Sequence, residues 1–243
     1  MKTVKLDIAD STNRWTSDRS SSLEWPCLVY AVEQTAGRGQ RGNSWESQPG
    51  MNLTCSALFR PEGVETAAQF VISEAVALAV ADLLEGYGVK ALVKWPNDIY
   101  VGDRKICGIL IENSIMGREI MRSVAGIGVN INQSRFVSDA PNPVSLVQLT
   151  GEEHPVDKVA ADFADILERR LAMLESPKTL HEEFLRRMWR ADGSLYPFLD
   201  KTRNQQINAR ISAVDPDGIL TLTTDSGEQR KFAFKEVEFI LSH

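Results

Sequence analysis

Cysteine is scarce in this 243-residue chain: Cys27, Cys55 and Cys107 are odd in number and show no metal-ligand spacing. That argues against a disulfide framework or a thiolate metal centre and for free thiols in a reducing cytoplasm, with Cys107 read as a small buried filler. Histidine is equally rare, and His154, His181 and His243 lie in none of the motifs described below. A basic excess is missing, since 27 Lys and Arg face 33 Asp and Glu for a net charge of −6. With a pI near 5.2, broad nucleic-acid binding and attachment to an anionic membrane surface are disfavoured. No apolar stretch is read as a membrane span, and the charged start from Met1 to Asp7 lacks a signal-peptide core. What remains is 43% hydrophobic, enough for one sizeable core plus a small appended domain.

The densest local signal runs from Gln34 to Trp45, where Gly37, Gly39 and Gly42 and the arginines Arg38 and Arg41 follow the apolar run Leu28 to Val32. A buried strand leading into glycines lets the backbone turn sharply and bring N–H groups close to a ligand. The two guanidinium forks suit phosphate or carboxylate oxygens. A glycine-rich, basic surface loop with no ligand has the same composition, so the segment alone leaves both readings open.

Two further segments narrow the choice. From Val93 to Glu112, two apolar runs flank Gly102-Asp103, which predicts a type II′ hairpin. With that turn, Val101 pairs with Arg104, Tyr100 with Lys105 and Asp98 with Cys107, so Asp98 and Lys105 share a face as diagonal neighbours. An ordinary cross-strand ion pair fits the same pattern. Val124 to Asn132 is an apolar strand broken by Gly126 and Gly128 and ending in Asn130 and Asn132, amides suited either to a turn or to a nucleobase edge.

Taken in order, Ser11-Thr12-Asn13, the Gln34 to Trp45 loop, Lys94-Trp95-Pro96-Asn97-Asp98 with Lys105 and Gly108-Ile109-Leu110, and the strand ending at Asn130 resemble the biotin protein ligases. These enzymes attach biotin to a carrier lysine of biotin-dependent carboxylases. The resemblance implies two steps: biotin and ATP, with magnesium, form biotinyl-5′-adenylate and pyrophosphate, and the carrier lysine then takes biotin and releases AMP. It further implies that Ser11, Thr12, Asn13 and Gln34 meet the ureido ring, with Gly37, Arg38, Gly39, Gln40, Gly108 and Leu110 completing the biotin site. Lys105 is implied at the biotin carboxylate and the α-phosphate. ATP and adenylate contacts are implied for Arg38, Gln40, Arg41, Trp45, Lys94, Asn97, Lys105 and Asn130. Lys105, Arg38 and Asp98 are the implied catalytic residues, Asp98 orienting the incoming ammonium and accepting its proton. No protein metal ligand is assigned. An ionised carboxylate is already a nucleophile, so chemistry of this kind needs anions held in line rather than a Ser-His-Asp arrangement.

The chain departs from the commonest family loop, Gly-Arg-Gly-Arg-x-Gly, by carrying Gln40 at the second arginine, and Phe136 is the obvious aromatic in the stretch that covers adenine in relatives. Two alternatives remain in view. A lipoate or octanoate ligase shares the fold but usually has an Arg-Arg-x-Ser-Gly-Gly loop with histidine, and a non-catalytic biotin or adenylate sensor would need neither Lys105 nor Asp98.

The expected fold is α+β: a mixed, largely antiparallel sheet with packed helices over residues 1–200, then a small SH3-like barrel over 201–243 that assists ATP and carrier engagement in the family. Strands are expected near 28–33, 52–59, 91–94, 98–101, 104–112 and 122–131. The C-terminal meander is expected at Ile207 to Val214, Ile219 to Thr223, Arg230 to Phe234 and Val237 to Leu241. Capping boxes at Thr66-x-x-Gln69 and Thr179-x-x-Glu182 predict helix starts, the first helix laying one face on the sheet and stopping near Gly86. Val159, Phe163, Ile166, Leu167, Leu171 and Leu174 predict another helix, and Trp189 is read as core. Ser11 is additionally read as a helix cap. Only ten residues precede Ser11, so no helix-turn-helix DNA reader is expected. The expected partner is a biotin carboxyl carrier protein, with no membrane role and a monomeric or homodimeric state.

Overall fold

Seven strands in the order β1-β2-β3-β7-β6-β5-β4 form the main sheet, and five in the order β11-β10-β9-β8-β12 form a second one. The computed structural model describes residues 1–137 and 142–241, with only the backbone of Arg41. The main sheet comprises β1 (Lys2–Ala9), β2 (Cys27–Gln34), β3 (Leu53–Phe59), β4 (Leu92–Lys94), β5 (Asp98–Val101), β6 (Arg104–Met116) and β7 (Glu119–Val129). The C-terminal sheet comprises β8 (Tyr196–Asp200), β9 (Gln205–Val214), β10 (Leu220–Thr224), β11 (Gln229–Phe232) and β12 (Val237–Phe239). The helices are α1 (Thr12–Asp18), α2 (Phe70–Gly86), α3 (Leu146–Thr150), α4 (Val156–Ala172) and α5 (Pro177–Arg186). Among the described strands β1 and β2 alone pair in parallel, so the main sheet is mixed and largely antiparallel, and the strand pairs described in the C-terminal sheet are antiparallel.

β2 and β3 are central and apolar, and β3 is buried along its whole length. β1, whose alternating Val4, Leu6 and Ile8 were hidden among charges, was missed from sequence because edge strands expose most of their residues. β8 was missed as well; the second sheet therefore begins at Tyr196. α1 packs on one face of β2, β3 and β7, whereas α2 packs under β4, β5 and β6 and against α4 and α5.

Several expectations are corrected. α2 is buried on nearly all sides rather than along one face, because its alanines let α4 and α5 close around it. The segment Thr66–Gly86 is in fact long and apolar enough to cross a membrane, yet it serves as the core helix. Neither capping box forms: Thr66 opens a 3-10 turn with its hydroxyl buried and unpartnered among the described residues, and Pro177 begins α5 two residues before Thr179. Pro is favoured at that first position because its missing N–H has no helical acceptor there. Ser11 occupies the cap position of α1, but its hydroxyl makes no capping bond. Trp189 is core, and its indole donates to Gly102 O at 2.8 Å.

The two sheets meet through aromatic rings. Trp95 is 2% exposed, donates from Nε1 to Gly218 O at 3.0 Å and stacks edge-on against Phe234 at 5.4 Å. Phe70 lies 5.5 Å from Phe184 and 5.9 Å from Phe234. Gly218 sits at φ +89°, and a Cβ there would meet the Phe70 ring at 2.7 Å, so the β9–β10 turn accepts only glycine against this cluster. Trp95→Phe, which strands the Gly218 carbonyl, is expected to lower stability by about 1–3 kcal/mol in urea unfolding followed by fluorescence.

Candidate active site

The first helix and the strand that follows it build a polar network. Gln34 Oε1 accepts from the Thr12 N–H at 2.8 Å and lies 3.1 Å from Thr12 Oγ1. Ser56 Oγ lies 2.8 Å from Thr12 Oγ1 and 2.6 Å from Asn13 Oδ1. Asn13 Nδ2 donates to Leu110 O at 3.2 Å and Glu112 Oε2 at 3.1 Å, while Glu112 Oε1 accepts from Arg38 at 2.5 Å. One chain of contacts thus joins the Ser11-Thr12-Asn13 motif to the arginine of the glycine loop. Ser56 and Glu112 were missed from sequence: each sits within an apolar strand, and only strand pairing shows that both face the site.

Glycine shapes the floor. In the β6–β7 register Gly108 opposes Gly128 and Leu110 opposes Gly126. A Cβ at Gly126 would collide with the Asn13 side chain at 2.2 Å, and one at Gly128 with the Trp45 ring at 2.3 Å. Trp45 also covers Gly108, and its indole N–H is buried without a partner among the described residues. The loop that delivers Trp45 closes on itself through Trp45 N–H to Gly37 O at 3.0 Å and Gly39 N–H to Asn43 O at 2.7 Å.

The hairpin turns at Gly102, φ +57°, with Val101 opposite Arg104 and Tyr100 opposite Lys105 as expected. Beyond that the register shifts: Asp98 opposes Gly108, not Cys107, because a β-bulge leaves Ile106 without a partner. The extra residue changes the phase of β6, so that Lys105 and Gly108, three apart, both face the site while Cys107 and Ile109 point to the core. Lys105 Nζ meets Asp98 Oδ1 at 2.7 Å, and Lys94 Nζ lies 4.0 Å from Asp98 Oδ2. Burial pushes the Lys94 ammonium below its usual value, and Asp98 opposes that shift. Burial pushes the Cys107 thiol well up, which leaves it an inert filler.

These groups enclose a cavity of about 560 Å³ lined by Ser11, Thr12, Asn13, Gln34, Arg38, Gly39, Gln40, Trp45, Asn97, Asp98, Lys105, Gly108, Leu110 and Asn130 among others. Of the sequence-predicted residues, Gly37 stays behind the wall, where a Cβ would strike Trp45 O at 2.6 Å. Lys94 also lies outside the lining, over the rings of Tyr100 and Phe239. The Arg41 side chain lies outside the described residues. Asn130 donates from Nδ2 to Val144 O at 3.0 Å while lining the cavity. Asn97 donates to Ile109 O at 2.6 Å, which pins the motif to β6. Phe136, Pro143, Glu46 and Lys235 also line the cavity.

Comparisons with known proteins show the family and the fold. The family model described as the biotin/lipoate A/B protein ligase family matches residues 6–130. A biotin–[acetyl-CoA-carboxylase] ligase of Paracoccus denitrificans is 31% identical over 234 residues, covering 92% of this chain and 95% of that protein. The bifunctional ligase/repressor BirA of Escherichia coli is 37% identical over 138 residues, 56% of this chain and 43% of that protein. The biotin protein ligase of Aquifex aeolicus, solved with biotin and ATP, superposes with a TM-score of 0.81 over 99% of both chains at 23% identity, a likeness of fold. The chain belongs to the biotin/lipoate A/B protein ligase family, on its biotin protein ligase branch.

Gly128→Ala is expected to expel Trp45 from its seat, seen as a shift in tryptophan emission, and to lower turnover without unfolding the protein.

Proposed function

We propose that this chain activates biotin with ATP as biotinyl-5′-adenylate and passes the biotinyl group to a lysine of a biotin carboxyl carrier protein. The observation that carries the reading is the Lys105–Asp98 pair at 2.7 Å, set between the Thr12–Asn13–Gln34 network and the glycine loop. The polar network suits a urea edge, and the glycine trough beside it suits an apolar bicycle, since a few placed polar groups in an apolar pocket set specificity. The biotin carboxylate attacks the α-phosphorus, the bond from that phosphorus to the bridging oxygen breaks, and pyrophosphate departs with the electron pair. Lys105 neutralises the charge gathering on the α-phosphoryl oxygens, and Arg38 and the loop N–H groups hold the two anions in line. Asn130, with Phe136 in the same cavity lining, serves the adenine.

Magnesium accompanying ATP would offset charge on the phosphates; Asp98 faces two lysines, and Glu46 accepts from Gln133 and the Val137 N–H. In the second step the neutral lysine amine attacks the mixed anhydride, Asp98 accepts its proton, and AMP leaves. The three cysteines are buried and free, which suits the reducing cytoplasm where we place the reaction.

Pyrophosphate release from ATP should depend on biotin and not on lipoate or octanoate, and mass spectrometry should show a biotinylated lysine on an added carrier domain; release with lipoate alone overturns the reading. Lys105→Ala is expected to cost about 10²–10³-fold in adenylation. Asp98→Asn is expected to form adenylate but fail to pass biotin on; loss of adenylation in that variant would place Asp98 in ATP positioning instead.

A further inference from the structure

We infer that Arg122 of β7, which lies outside the cavity lining, positions the biotin-binding end of α1 by clamping that helix at its other end, and so sets the affinity for biotin. The inference rests on the ligase reading and names a positioning residue outside the family motifs.

One face of β7 carries α1 along its length. Arg122, Val124 and Gly126 alternate onto the same side of the strand, where the register with β6 is regular: Arg122 opposes Ser114, Val124 opposes Glu112 and Gly126 opposes Leu110. Asn13, in the first turn of α1, occupies the space that a Cβ at Gly126 would take. Trp15 packs on the small apolar cluster that contains Val124. The Arg122 guanidinium donates to Ser17 O at 3.1 Å, to Ser17 Oγ at 3.2 Å and to Ser20 Oγ, and it crosses to Ser114 Oγ of β6 at 3.1 Å. The strand from Arg122 to Gly126 spans about 13 Å and the helix about 10 Å, so the two anchors hold opposite ends of α1.

α1 has little else to fix its direction. Its 7 residues fall well short of the length at which a helix stands alone in water. Ser11 makes no side-chain capping bond at its start, and no basic residue falls in its last turn. Arg122 supplies both missing elements from the neighbouring strand: a donor for an orphaned C-terminal carbonyl and a positive charge at the negative end of the dipole. Its guanidinium bonds go to the helix end and to serine hydroxyls, and none goes to a carboxylate among the described residues.

The effect falls on the first turn. Thr12 and Asn13 meet Gln34, Ser56, Leu110 O and Glu112 over distances between 2.6 and 3.2 Å. A short rigid helix released at Ser17 pivots on the Asn13 seat, and hydrogen bonds weaken steeply once they are misaligned. This network faces the urea edge of biotin. Lys105 and Asn130, on the ATP side of the cavity, belong to β6 and to the segment after β7, so they do not move with α1.

The test measures biotin binding by calorimetry without ATP, and biotin-dependent pyrophosphate release with Mg·ATP, for the full chain and for Arg122→Gln, Arg122→Lys and Arg230→Gln. Arg122→Gln should weaken biotin binding about 10- to 100-fold and raise KM for biotin alike, with KM for ATP at saturating biotin and kcat near wild type. Arg122→Lys, which keeps the charge but loses the fork, should restore part of the loss. Arg230→Gln, which breaks the ion pair with buried Asp200 in the C-terminal sheet, should lower Tm without moving biotin affinity, and so separates positioning from a general loss of stability. Replacing Ser17 and Ser20 together, Ser17→Ala with Ser20→Ala, removes two hydroxyl acceptors and leaves the strand intact. That variant should weaken biotin binding about 3- to 10-fold, and it decides the question if Arg122→Gln does not fold. Unchanged biotin affinity in Arg122→Gln, or in the serine variant where that one fails to fold, overturns the inference and leaves the ligase reading standing, as does an equal rise in KM for ATP. A wild type that binds no biotin sinks the ligase reading and the inference with it.

Discussion

The site depends on a patch of sheet without side chains. Gly108 and Gly128 stand opposite each other on neighbouring strands, with Gly126 two residues along, and the room they leave is taken by the Asn13 amide and the Trp45 indole. Both elements that carry polar chemistry, the start of α1 and the glycine loop after β2, come down onto the sheet at these points. A single methyl group on either β7 glycine would lift one of them by more than a van der Waals contact can absorb. Close approach of backbone, rather than any strong pairwise attraction, is what lets Thr12, Asn13, Gln34 and Arg38 converge.

Charge is arranged around that trough in pairs. Asp98 sits between Lys105 and Lys94, and Glu112 ties Arg38 to Asn13. Each cation is thereby held in place before any substrate arrives, which spares reorganisation when two anions must be brought together. Lys94, kept from solvent among Tyr100, Phe239 and Asp98, shapes the field from behind the cavity wall.

Trp95 couples the two sheets. It belongs to the same short motif as Lys94, Asn97 and Asp98, yet its own side chain points away from the cavity to bind the β9–β10 turn and Phe234. A motif that supplies catalytic groups from one side and the inter-sheet lock from the other makes the position of the C-terminal sheet a property of the active site.

The sequence by itself determined the motif residues, the strands of the main sheet apart from β1, the turn at Gly102 and the family, because hydrophobic periodicity, turn glycines and short polar motifs are local signals. It also carried Asp98 and Lys105 to one face. Only the tertiary structure decided how they get there: the bulge at Ile106 exchanges Cys107 for Gly108 opposite Asp98, and a bulge leaves no mark in residue type. Ser56, Glu112 and Arg122 were likewise invisible, since a buried serine, a strand glutamate and a strand arginine acquire meaning from what lies across the sheet or against its face. The helix starts at Thr66 and Thr179 went the other way, local capping patterns overridden by burial and by Pro177. Short-range chemistry is written in the chain, while register and the approach of distant segments are settled by packing over the whole fold.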